Sequence, residues 1–169
     1  STLSSSSAAS DVYKRQERVN RIIEISKEYG CHDNSIRGLV FCSRKEEANE
    51  LANKFNIRGL KSLALTGSNT EYEREKAIER LESDNSEYKL DYIFTVDIFN
   101  EGIDIPRINQ IIMLRPTQSN IIFIQQLGRG LRKVENKEYL TVIDFIGNYQ
   151  NNFFVHLIGL IYCFVVSLI

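Results

Sequence analysis

Short apolar runs alternate with longer amphipathic stretches along most of this chain, and few folds accept that alternation. Residues 17–29 place Val19, Ile22, Ile23 and Ser26 at helical spacing, and Gly30 follows as a stop. Gly38-Leu39-Val40-Phe41-Cys42 is then short and mostly apolar, as a strand covered on both faces must be. Ser43-Arg44-Lys45-Glu46 reads as a capping box opening the next helix, whose apolar stripe is Ala48, Leu51, Ala52 and Phe55. The unit repeats with a strand over 61–66, a second capping box at Thr70-Glu71-Tyr72-Glu73, and a helix turning Ala77, Ile78 and Leu81 inward. Residues 92–96, 109–114 and 139–144 add further strands, with a helix over 119–133 between the last two. Strands interleaved with helices in this way predict an α/β fold: a doubly wound, mainly parallel sheet with helices on both faces and right-handed crossovers. In such sheets ligands sit beyond the carboxyl ends of the strands.

The charge balance narrows the function classes. The 169 residues carry 21 basic and 22 acidic side chains, a net charge of -1, and 43% are hydrophobic, which supplies a core for one domain. A coat of nucleic-acid-binding charge usually brings an isoelectric point above roughly 9, so any nucleic-acid contact here must come from a local patch. Cys31, Cys42 and Cys163 form no CxxC pair and have only His32 and His156 as possible co-ligands. Neither a disulfide framework nor a zinc site is expected, and no other metal site is read.

The two ends differ from the middle. Residues 1–16 are a Ser/Ala stretch followed by Asp-Val-Tyr-Lys-Arg-Gln, without apolar periodicity or the hydrophobic region of a signal peptide. They resemble the translation of a transposon-based sequencing adapter, or a disordered tail, and are expected to carry no fold. Residues 153–169 contain no Asp, Glu, Lys or Arg. That run is borderline against the about 20 apolar residues a membrane-spanning helix needs, and it lacks flanking basic residues. Three readings rank in this order: a frameshifted or read-through tail, a truncated membrane anchor, and a buried apolar strand whose partners are missing.

No GxxxxGK[ST] loop occurs, and no GxGxxG opens a helix after the first strand, so the chain has neither familiar phosphate cradle. Three polar clusters lie at strand ends or on the helix beside them. Phe41-Cys42-Ser43-Arg44 brings a hydroxyl, a guanidinium and the N–H groups of a helix start together, which suits a phosphate; plain helix capping by Ser43 fits the residues equally. Thr95 to Pro106 ends a strand in a hydroxyl and then offers Gly102 for close backbone approach and Asp104 as an acceptor for ribose hydroxyls; a turn closed by Pro106 is the alternative. Gln125-Gln126-Leu127-Gly128-Arg129-Gly130-Leu131-Arg132 sets two arginines three apart on one helical face beside two glycines. Each glycine costs a helix about 1 kcal/mol against alanine, and planar guanidinium forks presented to phosphate oxygens supply a reason for that cost. A solvated basic face is the alternative.

Taken together, the order and spacing of these clusters resemble the C-terminal motor lobe of superfamily 2 helicases. Residues 39–43 are similar to motif IV, Thr66-Gly67 to the nucleic-acid contact that follows it, 95–106 to motif V, and 125–132 to motif VI in its QxxGRxxR form. The likeness spans residues 17–152. Within it, the strings at 94–106, 113–119 and 142–149 resemble bacterial DEAD/DEAH-type helicases related to type III restriction subunits, whose parent chains often add a phospholipase D-like nuclease domain and a conserved C-terminal domain.

The resemblance implies a RecA-like fold and a set of roles. Arg132 becomes the arginine finger on the γ-phosphate of ATP, with Arg129 as its companion. Asp104 holds the ribose, Gly102 lets the backbone approach, and Gln125 couples nucleotide to the lobe interface. Ser43, Arg44, Thr66, Gly67 and Thr95 touch the sugar-phosphate backbone of the tracked strand, a sequence-independent grip suited to a near-neutral domain. ATP with Mg2+ is expected as the nucleotide, held mainly by a first lobe that this sequence does not contain, so the chain alone is expected not to hydrolyse it. The expected partners are nucleic acid, with DNA ahead of RNA, and that first lobe; no membrane partner is expected, and the location is cytoplasmic. The alternative is a non-catalytic module binding nucleic acid or a partner, tethered to a membrane through residues 153–169.

Overall fold

Successive side chains of a strand point to opposite faces, and this chain supplies apolar groups for both. A computed structural model describes residues 3–31, 35–96, 98, 105–115, 139–145 and 161–167. The elements are α1 (Leu3–Tyr29), β1 (Gly38–Phe41), α2 (Lys45–Ile57), β2 (Ser62–Leu65), α3 (Glu71–Glu82), β3 (Tyr92–Thr95), β4 (Gln110–Met113), β5 (Tyr139–Phe145) and β6 (Ile161–Ser167). The sheet order is β2-β3-β1-β4-β5-β6, with β1 to β5 all parallel and β6 antiparallel to β5. The expected mainly parallel, doubly wound sheet is the one observed.

Leu39, Phe41, Ile93, Ile111, Met113 and Val142 pack on one face with Ala77 and Leu81 of α3. Val40, Phe94, Ile112 and Ile143 pack on the other with Val19 and Ile22 of α1 and Leu51 and Phe55 of α2. Strands β1, β3, β4 and β5 therefore feed two cores by simple alternation. The stripes read from the sequence are buried as expected in α1 and α2, and Ile25 joins them; in α3, Ala77 and Leu81 are buried and Ile78 is partly so.

Two local expectations need correction. The helix over 17–29 begins instead at Leu3, although residues 8–17 are exposed and add nothing to the core. Once 18–29 are held by packing, extending a helix costs far less than nucleating one, and Ala8 and Ala9 favour it. The capping box at Ser43 is displaced: α2 starts at Lys45, its N-cap is Arg44, and Arg44 makes no side-chain cap bond. Glu47, three residues beyond that cap, instead accepts the Ser43 backbone N–H at 3.0 Å through Oε2. In the apolar tail, residues 161–167 form β6, antiparallel to β5. The helix expected over 119–133 lies outside the described residues.

The box at Thr70 forms as expected. Thr70 Oγ1 accepts the Glu73 N–H at 3.3 Å, and Glu73 Oε2 accepts the Thr70 N–H at 2.7 Å. The Thr70 backbone and hydroxyl bonds hold the Glu73 carboxyl below the ordinary carboxylate range. A carboxyl depressed on folding contributes stability that is complete above its unfolded value, about 4.3, and is lost as pH falls through the lower folded value. Denaturation midpoints followed from pH 6 to pH 3 should therefore fall, and the fall should be shallower in Glu73→Gln, which keeps an oxygen for the cap but does not titrate.

At the amino ends of the strands, a buried polar chain joins α1 to the sheet. Tyr92 donates its hydroxyl proton to Gln110 Oε1 at 2.7 Å, while Gln110 Nε2 donates to the carbonyls of Ser26 at 2.9 Å and Gly30 at 2.8 Å. Both carbonyls lie at the end of α1, where that of Ser26 also accepts the Gly30 N–H at 3.2 Å, and Gly30 ends the helix at φ +57. Gly38 lies under the Tyr92 ring, where an added Cβ would come within 2.2 Å of Cδ1. The ring is fixed by its hydroxyl and cannot yield cheaply. Gly38→Ala should thus cost about 1–3 kcal/mol in urea denaturation, the usual range for overpacking a core.

Candidate nucleic-acid interface

Parallel register decides which strand ends share an edge. Phe41 is level with Thr95 and with Met113, Leu65 is level with Thr95, and Met113 is level with Asp144. The residues following β1, β2 and β3 therefore emerge side by side at the carboxyl edge, in the spatial order β2-β3-β1. This is the edge where a doubly wound sheet places its ligand. It carries all five residues expected to touch a nucleic-acid backbone.

Ser43 and Arg44 are exposed in the turn from β1 to α2, and the turn is fastened to the sheet by the Cys42 N–H on the Thr95 carbonyl at 2.9 Å. The Ser43 N–H, expected as one of the free donors at a helix start, is not free: Glu47 takes it. Glu47 is in turn paired through Oε1 with Arg18 Nη2 of α1 at 2.7 Å, and only 11% of its side chain is exposed. Cys42, beneath the turn, is buried, and that burial pushes its thiol well above the ordinary value. It is a packed thiol, not a nucleophile.

Thr66 and Gly67 open the turn from β2 to α3. Asn69 Oδ1 accepts the Thr66 N–H at 2.8 Å, the Thr66 and Ser68 hydroxyls lie 2.7 Å apart, and Asn69 N–H returns to the Thr66 carbonyl at 3.0 Å. Thr66 is 6% exposed, so its hydroxyl serves the turn, while Gly67 is exposed and a Cβ there would meet nothing within 4 Å. Thr95 has no exposed surface, and its Oγ1 has no partner among the described residues. The buried Thr141 Oγ1 is equally unpartnered, so the orphan hydroxyl does not by itself mark a ligand.

The expected contacts therefore divide. Ser43, Arg44 and Gly67 face solvent, whereas Thr66 and Thr95 are enclosed and do not offer the direct contact expected of them. The sequence reading missed Glu47 and Arg18, and also Arg74, a half-buried guanidinium on the first turn of α3 whose Nε is buried without a partner among the described residues. Arg74 lies one turn before the stripe of Ala77, Ile78 and Leu81, and that spacing was the available signal. Further along the edge, burial holds the Asp144 carboxyl above the ordinary range. The expected ATP-side residues Gly102, Asp104, Gln125, Arg129 and Arg132 lie outside the described residues. Among the described residues, no group of three or more His, Cys, Asp or Glu could hold a metal ion, and no helix is long and apolar enough to cross a membrane.

Residues 15–134 match the family model described as the helicase conserved C-terminal domain. The chain belongs to that family. A Saccharomyces cerevisiae protein named as an ATP-dependent helicase, IRC3, is 30% identical over 132 residues, which is 78% of this chain and 19% of IRC3. A Neosartorya fischeri protein named as the ATP-dependent RNA helicase drs1 is 30% identical over 106 residues, 63% of this chain and 12% of drs1. The helicase C-terminal domain described here thus spans about a fifth or less of the length of these relatives. Its fold is similar to the C-terminal domain of the DEAD-box protein Dbp5, with a TM-score of 0.58 at 20% identity, covering 79% of this chain and 72% of that one. The fold is RecA-like, as the resemblance implied.

Proposed function

We propose that this helicase C-terminal domain is the second motor lobe of an ATP-driven nucleic-acid helicase or translocase. Its carboxyl edge grips the sugar-phosphate backbone, and its 125–132 segment completes the ATP site of a first lobe. The observation that carries the reading is the common level of β1, β2 and β3, which sets Ser43, Arg44 and Gly67 on one exposed edge. Arg44 supplies the charge there and Ser43 a hydroxyl, with Gly67 leaving room for a backbone to approach. None of these groups reads bases, so the grip is sequence-independent, and strand register rather than sequence sets the position.

In this reading Arg132 and Arg129 reach the γ-phosphate, Gln125 couples the nucleotide to the lobe interface, and Gly102 and Asp104 meet the ribose. The first lobe supplies the phosphate loop and the Mg2+ ligands, and the chain by itself does not turn over ATP. The likeness to restriction-type helicases favours DNA over RNA as the strand.

The test is binding of a labelled single-stranded oligonucleotide as a function of salt. Arg44→Ala should weaken binding and lower the slope of log K against log salt by about 0.7, the contribution of one phosphate contact on a single strand. An unchanged slope would remove Arg44 from the interface. Parallel titrations with DNA and RNA of the same sequence measure the preference directly.

A further inference from the structure

The turn that carries Ser43 and Arg44 is held from a distance. Glu47 lies on the first turn of α2 and uses its two carboxylate oxygens for two different partners. Oε2 accepts the Ser43 backbone N–H at 3.0 Å, and Oε1 receives Arg18 Nη2 at 2.7 Å. Arg18 belongs to α1, 29 positions earlier in the chain, next to Val19, which anchors α1 in the core with only 2% of its surface exposed. α2 has no side-chain cap of its own, because its N-cap is Arg44 and the Arg44 side chain makes no cap bond. The Glu47 carboxylate thus ties the residue before the N-cap back to the first turn of α2, and Arg18 fixes the direction of that carboxylate.

From this geometry we infer that Arg18 and Glu47 are positioning residues for strand binding: through Glu47, α1 sets the Ser43–Arg44 turn in the conformation that presents its hydroxyl and guanidinium to a phosphate. The inference rests on the reading of this edge as the strand interface. It also fixes how a phosphate is met. The Ser43 amide is already spent on Glu47, and the carboxylate beside it would repel an anion at the helix start. Contact must then come from the Ser43 and Arg44 side chains, with Arg18 neutralising the carboxylate behind them. A charge-assisted bond of low exposure is strong enough to hold such a turn, and its loss on either side exposes the same fault.

The experiment uses the 169-residue chain with Arg18→Met, Glu47→Ala and the double variant, each read in two ways. Hydrogen exchange at the Ser43 amide in the free protein reports the turn, and oligonucleotide binding across a salt series reports the strand. Both single variants should speed Ser43 exchange and weaken binding by about tenfold, equivalent to about 1.4 kcal/mol. The double variant should be little worse than either single one, because both remove the same link. The salt slope should stay at its original value, because neither residue touches phosphate. Faster Ser43 exchange with unchanged affinity would overturn the positioning role, as would a fall in slope in Arg18→Met, which would make Arg18 a direct contact. Unchanged Ser43 exchange would overturn the link itself. If the unaltered chain bound no oligonucleotide, the strand-interface reading would fail and take the inference with it, an outcome told apart from the others without any variant.

Discussion

Arg132→Ala should cut ATP hydrolysis about a thousandfold or more once the chain is joined to a lobe bearing a GxxxxGK[ST] loop. An arginine finger stabilises charge that develops on the transferring phosphoryl group, and fingers of this kind contribute about 10³–10⁵ in rate. The prediction rests on the Gln125-Gln126-Leu127-Gly128-Arg129-Gly130-Leu131-Arg132 string, whose sequence sets two arginines three positions apart beside two glycines. Arg132→Lys should recover little, because an ammonium keeps the charge but loses the planar fork. Nucleotide affinity should change far less than turnover, since the finger acts mainly in the transition state. The check is steady-state ATPase kinetics with separate nucleotide titrations. Turnover within tenfold of the parent would remove Arg132 from the finger role and leave Arg129 to be tested in the same way.

Tyr92→Ala should be the most damaging single change to the fold. Tyr92 is fully buried; its ring meets Phe55 edge-on at 5.2 Å between centroids, and Phe55 meets Phe94 at 4.9 Å. Truncating a buried aromatic costs about 3–5 kcal/mol. The hydroxyl adds to this, because Gln110 Oε1 would be left without the donor it has at 2.7 Å, a further penalty of about 1–3 kcal/mol. Set against a typical domain stability of about 5–15 kcal/mol, the sum leaves little or nothing. Tyr92→Phe keeps the ring and isolates the hydroxyl, so it should cost only the smaller share. Urea denaturation of both variants checks this; a loss below about 2 kcal/mol for Tyr92→Ala would mean that Gln110 and the Phe55 cluster are not fixed as described.

The period-two apolar pattern made most of the fold legible in advance. Val40 and Leu39 must face opposite cores, and they do, as do Ile112 and Ile111. The α2 stripe and the Thr70 capping box were readable because each depends on residues three or four apart. What escaped depends on partners distant in sequence. Nothing near Gln110 announces that its amide serves carbonyls 80 and 84 positions earlier, and nothing near Glu47 announces Arg18.

The same contrast applies to the candidate interface. Ser43, Arg44, Thr66, Gly67 and Thr95 lie along one edge because strand ends in a parallel sheet share a level. Their exposure was not readable, since whether a hydroxyl at a strand end faces solvent or its own turn depends on the following residues. Ser68 and Asn69 turn Thr66 inward, and flanking strands on both sides enclose Thr95. The Ser43 capping box failed for a related reason: Glu46 matched the pattern, but the helix starts one residue later, and Glu47 became the reaching carboxylate.

The most direct test of the motor-lobe account is nucleic-acid-stimulated ATP hydrolysis, measured for the 169-residue chain alone and for the same chain fused behind a lobe bearing a GxxxxGK[ST] loop. The account predicts no turnover from either lobe alone and strand-stimulated turnover from the fusion. Hydrolysis by the chain alone, or a correctly folded fusion that binds ATP and strand yet never hydrolyses, would contradict it.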